Sequence, residues 1–128
     1  MRRKKTVTKF LNIDLDIRAK TGDLGDFLRS IEPSVVVLHR TEQEASMELL
    51  REFPSLEETT VNLVRLIETL PSQARDIWNR LEFRKLNVGI RAGCEPRSVS
   101  FAISAETVEL LAGAEFEILF TVYAPPAD

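Results

Sequence analysis

The stretch SLEETTVNLVRLIETLPSQARDIWNRLE, residues 55–82, decides the fold class. Ser55 followed three residues later by Glu58 is a capping-box pattern, in which a side-chain oxygen accepts from a backbone amide left unpaired by the first helical turn. Leu63, Leu66, Ile67 and Leu70 then recur at helical spacing and make one apolar stripe. Pro71 supplies no backbone donor, so it breaks or kinks the helix. Ser72 can recap it, and Ala74, Ile77, Trp78 and Leu81 resume the i, i+3, i+4, i+7 pattern. Two helices in tandem and one kinked helix fit equally well. Either lays an apolar face on something flat.

The flanking segments supply the flat layer. In Phe10–Ile17, Leu11, Ile13, Leu15 and Ile17 alternate with Asn12, Asp14 and Asp16, the period of a strand with one dry and one wet face. Asp23 is placed to cap a short helix whose stripe is Leu24, Phe27, Leu28 and Ile31, and Pro33 ends it. Val35–Arg40 and Ala45–Glu52 read as a hairpin across the polar turn Thr41–Glu44. After the long helical stretch come a strand at Lys85–Arg91, a loop at Ala92–Arg97, and an alternating strand on Val99, Phe101 and Ile103. Ser104 then caps a helix through Leu111, with Gly113 suited to a left-handed C-terminal position. Phe116, Ile118, Phe120 and Val122 form the last strand. The order is β-α-β-β-α-β followed by β-α-β. It predicts a two-layer α+β sandwich, ferredoxin-like in its first six elements with a C-terminal β-α-β extension.

Composition bounds the rest. At 128 residues, 44% of them apolar, the chain reads as one domain over 1–128, large enough to fold without disulfide or metal. The basic start, Arg2 to Lys5, reads as a flexible tail over 1–6, and no apolar signal core follows it. Those four side chains belong to a total of 17 basic residues, so the remaining body carries 13 positive against 20 negative groups. A net-negative body disfavours general nucleic-acid binding, whose affinity comes from neutralising phosphates. No run approaches the roughly 20 apolar residues a bilayer requires. With a single cysteine and no signal core, the expected location is the cytoplasm.

The C-terminal segment Val99-Ser100-Phe101-Ala102-Ile103-Ser104-Ala105-Glu106-Thr107-Val108-Glu109-Leu110-Leu111-Ala112, with Phe116–Tyr123, resembles the end of a bacterial domain-of-unknown-function family. There a strand leads into a Ser-capped helix and a strand ending near a tyrosine. The Leu63–Trp78 helix, Val88-Gly89-Ile90 and the turn Ile31-Glu32-Pro33-Ser34 are similar too. The resemblance implies a small cytoplasmic α+β protein in a family where some members are suspected immunity proteins. It implies no catalytic residues.

Candidate site residues are few. Asn12, Asp14 and Asp16 line one strand face and supply oxygen ligands for Mg²⁺ or Ca²⁺, although a cage needs more donors than these and a solvated face is the simpler reading. His39, the one histidine, is a potential general base at a strand end. Cys94 lies in a loop and needs a base or a positive field to become a nucleophile. Glu106 and Glu109 share a helix face, and Trp78 falls on the core stripe. Arg75, Arg80, Arg84, Lys85, Arg91 and Arg97 concentrate basic charge without a glycine-rich phosphate loop. Nothing here assembles a catalytic, metal or cofactor site.

The acidic stretch is the better lead. Residues 42–68 carry seven glutamates against Arg51 and Arg65, and such surfaces steer basic partners. Glu42, Glu44, Glu48, Glu52, Glu57 and Glu58 are the partner-binding candidates. The expectation is a non-enzymatic protein-binding module, such as an immunity protein that meets a basic toxin through this acidic surface. The alternative is a small-ligand sensor or regulatory subunit on a ferredoxin-like sheet. A homodimer that covers exposed strand edges suits both.

Overall fold

A computed structural model describes residues 6–125, so the expected basic tail lies, apart from Thr6, outside the described residues. The chain is α+β. Five strands form one mixed sheet in the order β2-β3-β1-β4-β5: β1 Lys9–Arg18, β2 Val35–Arg40, β3 Glu44–Leu49, β4 Phe83–Arg91 and β5 Glu117–Tyr123. Four helices complete it: α1 Asp23–Ile31, α2 Leu56–Glu68, α3 Ser72–Asn79 and α4 Ala105–Gly113. Neighbours from β2 to β4 are antiparallel, and β5 joins β4 in parallel after the α4 crossover. No helix among the described residues is long and apolar enough to cross a membrane.

The predicted periodicities identify the core. Ile13, Leu15 and Ile17 of β1, Ala45 and Met47 of β3, and Leu86 and Val88 of β4 point to one side and are buried. The stripes of α1, α2 and α3 cover them in a single apolar cluster. Pro71 divides the long stretch into two helices, the break and not the kink of the two outcomes its missing amide allows. Ser55 caps the first, its Oγ accepting from the Glu58 amide at 3.1 Å. Trp78 is 2% exposed. It stacks on Phe27, tilts against Phe116 and donates its indole N–H to the Ala114 carbonyl at 3.1 Å, which ties α3 to the corner between α4 and β5. The buried Arg84 guanidinium lies over the same indole and donates to the Trp78 carbonyl at 2.9 Å.

Several expectations are corrected. Leu11 is exposed, because a bulge between Phe10 and Asn12 in the β1–β4 register inserts it as an extra residue. Asp23 does not cap α1. Gly22, at φ 94°, occupies the cap position, and Asp23 takes a bidentate ion pair with Arg80 at 2.9 and 3.1 Å. Ser72 does not recap α3: the cap residue is Pro71, with no side-chain bond. Gly113 is still helical, and the left-handed residue is Glu115 at φ 60°. The strand expected on Val99, Phe101 and Ile103 is absent, which leaves the C-terminal extension as α4-β5 instead of β-α-β. Its alternation has another cause. Phe101 and Ile103 turn half-buried onto the core from an irregular segment, while the β4 edge that a strand would need is taken by β5.

Candidate interaction surface

Among the described residues, no helix packs on the face of the sheet opposite the buried row. At the centre of that face β1 presents Asn12, Asp14 and Asp16, and β3 presents Ser46 and Glu48 beside them. Asn12 Nδ2 donates to Asp14 Oδ1 at 2.8 Å and to Glu48 Oε2 at 3.1 Å, and Ser46 Oγ donates to Asp16 Oδ1 at 2.7 Å. These bonds hold three carboxylates in one strip. Desolvation, and then the charges of Asp16 and Glu48, push the Asp14 carboxyl above its ordinary value, against the pull of the Asn12 hydrogen bond. Among the described residues no three His, Cys, Asp or Glu side chains are placed to hold a metal ion. The strip is therefore described as a charged surface.

The six partner-binding glutamates divide in the fold. Glu48 belongs to the strip, and with Glu52 it lines a shallow hollow of about 80 Å³ whose rim includes Arg51 and Phe53. Glu42 is exposed at the hairpin turn and Glu58 at the start of α2. Glu44 is drawn to Arg18, which holds it at 3.0 Å and Glu82 at 2.7 Å. Glu57 is engaged by the chain's own groups at the surface: its carboxylate accepts from the Ser104 amide at 2.8 Å and the Thr107 hydroxyl at 3.0 Å, which pins the N-terminus of α4. The Ser104 bond is the largest cause holding its pKa down. Two chain segments 47 residues apart meet in that contact, which local sequence cannot reveal.

The other candidates do not converge. His39 is exposed on β2, across from Ser46 and through it Asp16. Cys94 is exposed beyond the far end of β4, where Arg91 pairs with Lys9. From Asp16 to Lys9 is about 23 Å along β1, so the two are not a nucleophile and base. Glu106 and Glu109 line a groove of about 300 Å³ between α4 and the α2–α3 pair, together with Glu68 and Arg75. The basic residues of 75–97 scatter: Arg80 goes to Asp23, Arg84 to the core, and Lys85 over the Phe83 ring at 4.5 Å.

One surface was missed. In β5, Ile118, Phe120 and Val122 lie in register with Leu86, Val88 and Ile90 on the helix side, yet are 41%, 52% and 61% exposed. Leu119 and Tyr123, on the opposite side, are 48% and 53% exposed. The signal was present in the sequence. Apolar residues occupy both parities of 118–123, which is the pattern of a strand covered on both faces, whereas a two-layer domain covers one. No family model, curated protein or solved structure matches the chain.

Proposed function

We propose that this chain is a non-enzymatic protein-binding module whose acidic strip receives a basic protein partner, in the manner of an immunity protein meeting a toxin. The observation that carries the reading is the juxtaposition of Asp14, Asp16 and Glu48 on the sheet face opposite the helices. Like charges on neighbouring strands cost stability. A basic partner relieves that repulsion on binding, and a field of this kind speeds encounter. Glu52 adds the same sign of charge at the hollow it lines with Glu48. Of the C-terminal resemblance to a family with suspected immunity proteins, the Ser104-capped helix and the strand ending at Tyr123 are present and support the reading, and the exposed, unpaired Cys94 supports a reducing compartment such as the cytoplasm. The antiparallel order β2-β3-β1-β4 supports reading the first four strands as a ferredoxin-like unit, to which β5 is added.

The test compares wild type with the triple variant Asp14→Asn, Asp16→Asn, Glu48→Gln as baits for basic toxin-like proteins encoded beside the gene. The expected result is a complex with wild type that weakens as salt rises, and at least a tenfold loss of affinity in the triple variant. Equal binding by both baits would sink the proposal.

A further inference from the structure

We propose that β5 pairs edge to edge with β5 of a second copy of this chain, antiparallel and centred on Phe120, so that two five-stranded sheets become one. The occupant is argued from the strand itself. Among the described residues β5 has one neighbour, β4, and its outer edge is open. Sheet edges are ordinarily guarded by a lysine, a proline, a bulge or brevity. Glu117–Tyr123 is seven residues long, keeps an unbroken register with β4, and contains no basic residue and no proline.

The sequence EILFTVY is complementary to itself when reversed about Phe120. Ile118 meets Val122, Leu119 meets Thr121, and Phe120 meets its own copy. The only charged residue of the strand, Glu117, meets Tyr123, so no like charges face each other. An antiparallel pair about a two-fold axis keeps residues of one parity on one side. The exposed Ile118, Phe120 and Val122 of both copies therefore form one apolar row on the helix side, continuing the Leu86, Val88 and Ile90 row of each β4.

Charge complementarity fixes the ends. Each protomer's edge has an acidic end at Glu117 and a basic end where Arg91 is in register with Tyr123 on one side and Lys9 on the other. Lys85 lies beside Glu117, but its ammonium is over the Phe83 ring. Among the described residues neither Glu117 nor Arg91 has an ion-pair partner, and the buried Arg91 Nε has no acceptor. In the proposed register Glu117 lies two strand spacings, about 10 Å, from the Arg91 backbone of the second copy and on the same face. The two long side chains span that gap. Parallel self-pairing would instead put Glu117 beside Glu117.

Seven paired residues contribute less area than the roughly 1,200 Å² of a standard interface, so the dimer is reversible. The mass by sedimentation equilibrium should pass from monomer to dimer over about 1–100 µM. Phe120→Lys should leave a folded monomer throughout, and Glu117→Lys should weaken association by up to about fivefold. Register is read by cross-linking in a Cys94→Ser background. Phe120→Cys should self-link, because Cα atoms of an antiparallel pair lie within the disulfide range of about 4.4–6.8 Å. Leu119→Cys and Thr121→Cys should each link poorly alone and well when mixed. A monomer at every concentration would overturn the proposal. So would a dimer that ignores Phe120→Lys, or one in which Leu119→Cys alone links as fast as the mixture. The triple variant of the acidic strip should dimerise like wild type, so this test stands apart from the fate of the partner-binding reading.

Discussion

β2 and β5 both end the sheet, but only β2 is guarded. Its register with β3 is broken by a bulge between Val37 and His39, and it finishes on His39 and Arg40. A bulge twists the ladder, and terminal polar groups prefer water, so another strand finds a poor template there. β5 is regular, apolar on both faces and free of basic residues. Exposed apolar residues on β2 are single side chains, Val36 and Leu38, whereas on β5 they are contiguous. A contiguous apolar edge marks a place where something else binds.

The largest expected effect comes from cutting β5 off from its anchor. Trp78→Ala removes the ring packed on Phe27 and Phe116 and the bond to Ala114, at a cost of about 3–5 kcal/mol by urea denaturation. Amides of β5 should lose exchange protection before those of β2. Equal loss at both edges would show that the corner does not hold β5 in place.

Next is Gly93→Ala. A Cβ at residue 93 would come within 2.4 Å of the Val7 carbonyl carbon and 2.5 Å of the Thr8 amide nitrogen. The backbone of 6–8 must move, and the loop leaving β4 for α4 moves with it. A loss of about 1–3 kcal/mol is expected, and an unchanged Tm would refute the close approach.

The comparison of edges is sharpened most directly by matched lysines. Val36→Lys on β2 should change stability by no more than about 0.5 kcal/mol and leave the association constant alone. Phe120→Lys on β5 should keep the monomer's Tm while abolishing association. If Val36→Lys disrupts association as strongly, the two edges have been assigned the wrong way round.

The smallest effect is Asp14→Asn. A carboxyl whose folded pKa is raised binds its proton more tightly in the folded state than in the unfolded one. Its contribution to stability is therefore greatest below the unfolded value, ordinarily 3.8, and declines as pH rises through the folded pKa. The substitution should stabilise the protein slightly at pH 7, by less than ~0.5 kcal/mol because water screens the half-exposed charges, with the gain fading as pH falls towards 4. A gain that is constant with pH would mean that packing, not charge, is responsible.

Much of this fold is legible in the sequence because local periodicity and burial agree. The stripe Leu24, Phe27, Leu28 and Ile31 and the alternation Ile13, Leu15 and Ile17 are found as expected. Failures occur where a pattern has two physical causes. Val99, Phe101 and Ile103 alternate because two of them reach the core, and alternation says nothing of whether a ladder partner is free. Leu11 obeys the period but falls at a bulge, which only the opposite strand defines. The surface was less legible. Glu57 and Glu48 look alike in the chain, yet one staples α2 to α4 and the other lies on the sheet face opposite the helices. That distinction depends on contacts between distant segments.

The central place of β1 also shapes how the molecule folds. Its two ladders come from strands that follow much later: Leu15 waits for Met47, and Lys9 for Arg91. Such long loops must close before the contacts that reward them exist, so the search for the native state is slow relative to helical domains of this size. Until β4 arrives, β1 has a vacant side. The hairpin β2–β3 is the one part of the sheet that can form from near neighbours alone, so it is the natural seed on which the first strand docks.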